Sequence, residues 1–181
     1  MKRLLPLIGL MTSLSFVHAQ SFNVILSPEQ EANPANGRTG SGIGNLTLTG
    51  TTLNVNVTFG GLSHVWSADH IHGPASADPL STASVLYGLQ SITTLDAGNL
   101  SGTISGNVNL LAGTGGFDLA TQMNQLNSGM WYVNIHTSGT GGFPGGEIRG
   151  QILPVPEPST LVLGALGLGG LVVWRVRRRV F

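Results

Sequence analysis

The sequence predicts an all-β domain, a Greek-key β-sandwich or barrel of about eight short strands with one short helix. Apolar and polar residues alternate with a period of two along several segments, which is typical of half-buried strands. Glycine is abundant, at 27 of 181 residues, and it clusters with other turn-forming residues between those segments. No repeat of about 20 to 50 residues recurs, so a solenoid is not predicted.

The composition excludes several classes of protein. Only 9% of residues are charged and cysteine is absent, which disfavours a coiled coil, a zinc-thiolate finger and a disulfide scaffold. Positions 20–154 carry seven acidic side chains against Arg38 and Arg149, a net charge of −5. Nucleic acids are therefore poor partners for this region, and cations are better ones.

The first 19 residues have the organisation of a secretory signal peptide. Lys2 and Arg3 precede an apolar stretch, and Val17 and Ala19 occupy the −3 and −1 positions of a cleavage site before Gln20. The alternative is a membrane anchor, for which the segment is short. We therefore predict a signal peptide at 1–19 and an exported β domain at 20–154.

The strands of this domain are predicted in order along the chain. The clearest is 53–59, where Leu, Val and Phe alternate with Asn and Thr, and 45–49 alternates in the same way before a hairpin turn at 50–52. The other predicted strands are 21–26, 66–72, 84–89, 100–110, 131–136 and 147–152. Residues 118–127 predict the helix, because Leu119, Met123 and Leu126 are spaced three or four apart.

The C-terminal residues 155–181 combine three features. Pro156, Glu157 and Pro158 come first, an apolar run of fourteen residues from 161 to 174 follows, and four arginines come near the end. As a helix the run would be about 21 Å long at about 1.5 Å per residue, a minimal span for a hydrocarbon core of about 30 Å. Arginines beyond such a span stay in the cytoplasm. We predict an apolar helix that halts transfer through the membrane and leaves the domain on the exported side.

These three features, in this order, resemble the PEP-CTERM sorting signal of Gram-negative bacteria. The resemblance implies recognition by an exosortase-type processing enzyme and removal of the helix, so that the protein is anchored in the inner membrane only transiently. It also implies delivery to the cell envelope, surface or extracellular matrix, where exopolysaccharide or envelope proteins are the expected partners. An ordinary membrane anchor is the alternative.

Three histidines of the β domain give a candidate metal site. In an extended strand His70 and His72 project to the same face. His136 ends another strand, on the face opposite to that strand's apolar side chains. Three imidazoles from two strands suit copper or zinc. The alternative is that these histidines only bond loop backbone.

Three further residues are close enough in sequence to supply a fourth ligand or to orient one. They are His64, Asp69 and Asp78.

Three segments of the domain carry a second resemblance. They are Asp-His-Ile-His-Gly-Pro-Ala at 69–75, Tyr-Val-Asn-Ile-His-Thr at 132–137 and Gly-Gly-Glu-Ile-Arg-Gly-Gln-Ile at 145–152. In this order they are similar to the landmarks of the CHRD domain, the module named for chordin, over about residues 22–152. The resemblance implies an extracellular β-rich module with no settled biochemical activity.

The pattern of His70, His72, His136 and Arg149 is also remotely similar to the metal site of copper–zinc superoxide dismutase. That similarity implies histidine ligands and an arginine that guides an anion. The chain lacks a cysteine pair and a histidine-rich zinc loop. Dismutase activity is therefore not predicted.

Two more groups of residues are candidates for binding. Glu147 and Arg149 flank Ile148 and are predicted to face the same side of their strand, where Arg149 bonds a carboxylate or loop carbonyls; anion binding is the alternative. Trp66, Trp131 and Phe143 are candidates for a carbohydrate-stacking surface. The alternation of Trp131 with apolar neighbours instead favours a place in the core.

No nucleophile elbow, phosphate-binding loop, dinucleotide fingerprint or paired carboxylates occur in the sequence. We therefore predict an exported binding or structural module without catalytic activity and without a cofactor. The alternative is a copper- or zinc-binding protein that uses His70, His72 and His136.

Overall fold

The computed structural model describes residues 19–32, 37–76 and 81–156, and in these ranges it has ten β-strands and one α-helix. The strands are β1 Ala19–Leu26, β2 Ser41–Thr49, β3 Thr52–Gly60, β4 Trp66–His72, β5 Val85–Gly88, β6 Thr93–Leu95, β7 Gly102–Asn109, β8 Tyr132–Thr137, β9 Ile148–Gln151 and β10 Leu153–Pro154. The helix α1 is Leu119–Asn127. The predicted signal peptide up to residue 18 and the predicted C-terminal helix lie outside the described residues. Within those residues, no helix is long and apolar enough to cross a membrane.

The strands form two antiparallel sheets. One has six strands in the order β10-β1-β2-β3-β7-β6, and the other has four in the order β5-β4-β8-β9. An isolated bridge between Ser27 and Arg149 connects the sheets at one corner. The prediction of an all-β fold with one short helix is therefore confirmed.

Ten strands replace the predicted eight for a simple reason. β6 and β10 have only three and two residues, too few for an alternating pattern to be recognised in the sequence. The predicted strand at 147–152 is shorter in the structure, where β9 ends at Gln151 and β10 pairs with the other sheet. The predicted hairpin between β2 and β3 is present, with Gly50 at φ +61° in its turn.

The core lies between the two sheets. Along β3, Leu53, Val55, Val57 and Phe59 are all at most 3% exposed, as their alternation predicts. Trp131 is the largest fully buried side chain and is also 0% exposed. Each such side chain contributes about 1.5 to 3 kcal/mol on burial, so this layer supplies most of the driving force for folding.

Helix α1 packs with an unexpectedly polar face. Asp118 caps its first turn by accepting a hydrogen bond from the Thr121 backbone N–H at 2.7 Å. Gln122 and Gln125 are buried together with Leu126 because each amide has partners: Gln125 Oε1, for example, accepts from Trp131 Nε1 at 3.1 Å. The helix thus fixes the core by hydrogen bonds as well as by apolar contact.

The outward side of the four-stranded sheet is also covered. Outward-pointing residues of β4, β8 and β9 form a surface that we name the histidine face: His70, His72, Tyr132, Asn134, His136, Arg149 and Gln151. Residues 81–84 and 143–146 cross over it and hydrogen-bond to it. All six residues of β8 are buried as a result, those on its outward side included. The sheet therefore has polar side chains enclosed beneath loops, a setting in which each one needs a partner.

Candidate metal centre

The structure brings the three predicted histidines together. His70 and His72 lie on the same face of β4, and His136 comes from β8, opposite Ala68 of β4. Each of the three offers a ring nitrogen within 4.8 Å of the other two. His72 and His136 are each only 8% exposed, and His70 is half-buried. Such a group is compact enough to converge on one metal ion.

Backbone carbonyl groups fix the ring protons of two of these histidines. His72 Nδ1 lies 2.9 Å from the Ala83 carbonyl oxygen, and His136 Nδ1 lies 2.9 Å from the Pro144 carbonyl oxygen. Because a carbonyl can only accept, each Nδ1 carries the proton and each Nε2 carries a lone pair. This arrangement orients imidazole ligands in metal sites.

The two lone pairs meet different surroundings. His136 Nε2 lies 3.1 Å from His70 Nδ1, which donates to it in the absence of metal. His72 Nε2 is buried and has no hydrogen-bond partner among the described residues. A buried acceptor without a partner costs free energy, and a bound cation would satisfy it.

His70 can change its tautomer without losing its outer partner. Its Nε2 lies 2.9 Å from the side-chain amide nitrogen of Gln90. An amide offers both a donor and an acceptor, so rotation by half a turn lets Gln90 accept a proton from Nε2 instead. Nδ1 of His70 then becomes free to act as a ligand.

Burial keeps the three imidazoles neutral near pH 7. It is the main cause that lowers the pKa of His70 and of His72, and it lowers the pKa of His136 to about 4. Neighbouring histidines lower the pKa of His72 and His136 further, because two imidazolium ions at this distance repel. Neutral imidazole is the form that binds metal.

A stack of planar groups extends from the histidines across the face. The Tyr132 ring lies parallel to the His72 ring, with 5.0 Å between centroids and 7° between planes. The guanidinium carbon of Arg149 lies 3.6 Å from the centre of the Tyr132 ring. Arg149 also donates to the Ser81 carbonyl oxygen and to Gln151 Oε1, and it is 1% exposed. The stack therefore has a buried positive charge at one end and the histidines at the other.

A buried carboxyl group lies beside this stack. Glu31 is 4% exposed, and burial raises its pKa to about 7 against the opposing effect of Arg38 and Arg149. Glu31 Oε1 has no hydrogen-bond partner among the described residues, and neither does Asn134 Oδ1. Ionisation of Glu31 is thus costly in the folded protein.

This cost predicts a pH dependence that Glu31→Gln should remove. The folded-state pKa of about 7 is above the ordinary value of 4.5, so the folded protein loses stability as pH rises from about 4.5 to 7. We expect the stability of E31Q relative to wild type to increase by about 2 to 3 kcal/mol between pH 4 and pH 8. Urea unfolding at both pH values measures the difference. The exposed neighbour Glu29 supplies the control: hydrogen bonds with Ser27 and with its own backbone lower its pKa, so Glu29→Gln should not raise stability at pH 8 relative to wild type. An equal gain from both variants would contradict the assignment.

Among the described residues, the two candidates for a fourth ligand or an orienting group do not join the three histidines. Asp69 is next to His70 in sequence and therefore points to the opposite side of β4, where Thr93 Oγ1 donates to it at 2.6 Å. His64 pairs with Ser63 Oγ at 2.9 Å and packs edge-on against Phe143. Asp78 lies outside the described residues.

Glu147 and Arg149 have separate partners in the structure. Glu147 accepts hydrogen bonds from the Ser63 backbone N–H at 2.5 Å and from Thr137 Oγ1 at 2.8 Å. Arg149 donates a hydrogen bond to a loop carbonyl oxygen, that of Ser81, as predicted from the sequence. Glu147 therefore anchors a loop between the sheets, and Arg149 belongs to the histidine face.

The proposed aromatic surface for carbohydrate does not form as a unit. Trp131 is 0% exposed, so its ring cannot stack on a ligand. Trp66 is half-buried and packs against the core. The alternation that favoured a core position for Trp131 is the better guide here.

Several residues of the centre were missed in the sequence. Gln90, Ala83 and Pro144 contact the histidines from loops, where no periodicity marks them. Tyr132 could have been predicted, because it is four residues from His136 in β8 and therefore lies on the same face of the strand.

Comparison with known families matches two parts of the chain. Residues 22–152 match the family model of the CHRD domain. Residues 154–179 match the PEP-CTERM protein-sorting motif. Searches of curated proteins and of solved structures gave no match.

Proposed function

The chain belongs to the CHRD domain family, and we propose from the geometry of its histidines that it is an exported protein that holds copper or zinc on His70, His72 and His136. The sorting motif indicates export, processing by an exosortase-type enzyme and a place in the cell envelope or at its surface. We propose that binding, without catalysis, is its activity there.

One observation carries the metal proposal. The buried Nε2 of His72 has no hydrogen-bond partner among the described residues, and His72 belongs to a group whose candidate ligand atoms all lie within 4.8 Å of one another. If the histidines served only to bond loop backbone, their Nδ1 bonds to carbonyl groups would be sufficient, and the unsatisfied acceptor would remain a cost without benefit. A metal ion converts that cost into a bond.

Metal titration of the purified protein tests this proposal. We expect one copper or zinc ion per chain, and about 2.7 kcal/mol of added stability at a free metal concentration 100-fold above Kd. Replacing all three histidines with alanine should abolish both effects. His64→Ala is the matched control and should retain them, because His64 lies outside the group. A stabilisation that survives the triple replacement would refute the site.

A second candidate function rests on the outward side of the six-stranded sheet. The outward residues of β1, β2, β3 and β7 are uncharged and are mostly Asn, Ser and Thr; Asn23, Asn45, Asn56 and Ser105, for example, form one row in register across four strands. Amides and hydroxyl groups in such rows suit a neutral polyhydroxylated ligand such as exopolysaccharide. Failure of metal binding in the titration above would favour this structural or binding role.

A further inference from the structure

We propose that the three-histidine site prefers monovalent copper, Cu(I), to divalent copper or zinc. This inference rests on the metal site proposed above and adds the charge and oxidation state of its ion. It follows from the charges around the site.

The donors themselves carry no charge. Each histidine supplies a neutral nitrogen, and the carbonyl groups of Ala83 and Pro144 hold the Nδ1 protons of His72 and His136 in place. A bound ion therefore keeps its full charge in a buried setting. The Born cost of desolvation rises with the square of the charge, so a divalent ion pays about four times as much as a monovalent ion of the same size.

Two carboxylates near the site in sequence or on neighbouring strands are engaged elsewhere. Asp69 accepts from Thr93 on the opposite side of β4. Glu147 accepts from Ser63 and Thr137 between the sheets. Neither offers a negative charge to an ion on the histidine face, where compensation of a second positive charge would be needed.

Arg149 places a further positive charge near the site. The guanidinium of Arg149 is stacked on Tyr132, which is stacked on His72. The 5.0 Å between the two rings and the 3.6 Å from the Tyr132 ring to the guanidinium carbon place that carbon within about 9 Å of the His72 imidazole. At about 9 Å and an effective dielectric constant of about 20, its charge costs each further unit of metal charge about twentyfold in affinity. Glu31 offsets only part of this effect near neutral pH, because burial raises its pKa to about 7 and leaves the carboxyl partly protonated.

The number of donors points the same way. Zinc sites are almost always four-coordinate, and the described group provides three nitrogens. A divalent ion would therefore have to recruit a water molecule beside His70, the one half-buried member of the group. A monovalent copper ion is satisfied by three donors.

Competition titrations of the purified full chain test the preference. Cu(I) is measured without oxygen against a chromophoric Cu(I) chelator, and Cu(II) and Zn(II) are each measured against a chelator of known affinity. We expect Cu(I) to bind most tightly. Tighter binding of Cu(II) or Zn(II) would overturn the inference while leaving the metal site intact, whereas no binding of any of the three ions would overturn the proposed function itself.

Charge variants test the cause. Arg149→Gln should lower the ratio of Cu(I) to Cu(II) affinity about twentyfold, and Arg149→Lys should largely retain it. Because Arg149 is buried and its loss can unfold the domain, a second pair uses half-buried Ala68, which lies opposite His136. Ala68→Glu should lower the same ratio at least tenfold relative to Ala68→Gln. An unchanged ratio in folded A68E would contradict the electrostatic origin of the preference.

Discussion

Replacing Trp131 with alanine is expected to lower the free energy of unfolding by about 3 to 5 kcal/mol. The side chain is fully buried between the sheets, and its Nε1 donates to Gln125 Oε1. Truncation leaves a cavity and removes that bond. The ring also packs so closely against Gly73 that a β-carbon there would collide with it, so truncation removes this contact as well. Chemical denaturation of the purified protein measures the change.

Two controls separate packing from hydrogen bonding in this prediction. Leu111→Ala alters a side chain that is 62% exposed and should change stability by less than about 0.5 kcal/mol. Trp131→Phe should lower the free energy of unfolding by an amount between those of L111A and W131A, because phenylalanine fills most of the space but leaves Gln125 Oε1 without its donor. A W131A variant as stable as L111A would show that Trp131 does not support the core.

The second large effect is expected from Gly146→Ala, at about 3 to 4 kcal/mol. Gly146 has φ +127°, a conformation that side chains disfavour. A β-carbon built there lies 2.5 Å from both Asn134 Oδ1 and Glu31 Oε1. Because Pro144 in the same loop holds His136, we also expect metal affinity to fall. Denaturation and metal titration of one preparation measure both.

Gly145 supplies a matched control one residue away. A β-carbon at Gly145 meets nothing within 4 Å. Gly145→Ala should therefore leave stability and metal affinity close to wild type. Equal losses from G145A and G146A would indicate a general intolerance of the loop rather than the collision described.

Sequence pattern predicted those parts of the fold in which side-chain burial follows a strict period. In β3 each second residue enters the core, so its strand and its inward face were both predicted. β6 and β10 were missed because strands of three and two residues have too few positions to show a period. The buried amides of α1 were missed for another reason. Gln122 accepts from Tyr87, which lies on another element, and donates to the main-chain carbonyl oxygens of Leu111 and Phe117, which any residue type could supply.

The candidate site also has parts that the sequence pattern predicts and parts that it does not. Alternation of side chains along a strand places His70 and His72 on one face of β4 and His136 on the outward side of β8. The same alternation puts Asp69 on the opposite face of β4 and so argues against it as a ligand, a consequence that was overlooked in the sequence. The groups that orient the imidazoles could not be predicted. Ala83 and Pro144 contribute only main-chain carbonyl oxygens, which every residue type possesses.

The pairing of β10 with β1 has a mechanical consequence. The matched sorting motif begins at residue 154, within this two-residue edge strand, so tension applied through the tail reaches the sheet edge first. Among the described residues, the contacts of Leu153 and Pro154 with β1 would break together with two bonds of Val155, from its N–H to Ser21 O and from Gln20 Nε2 to its carbonyl oxygen. Ile152 is fully buried and bonded to the Trp131 carbonyl oxygen, so it resists the next step. Force applied beyond residue 156 would therefore detach one short strand first, while the histidine face keeps its geometry.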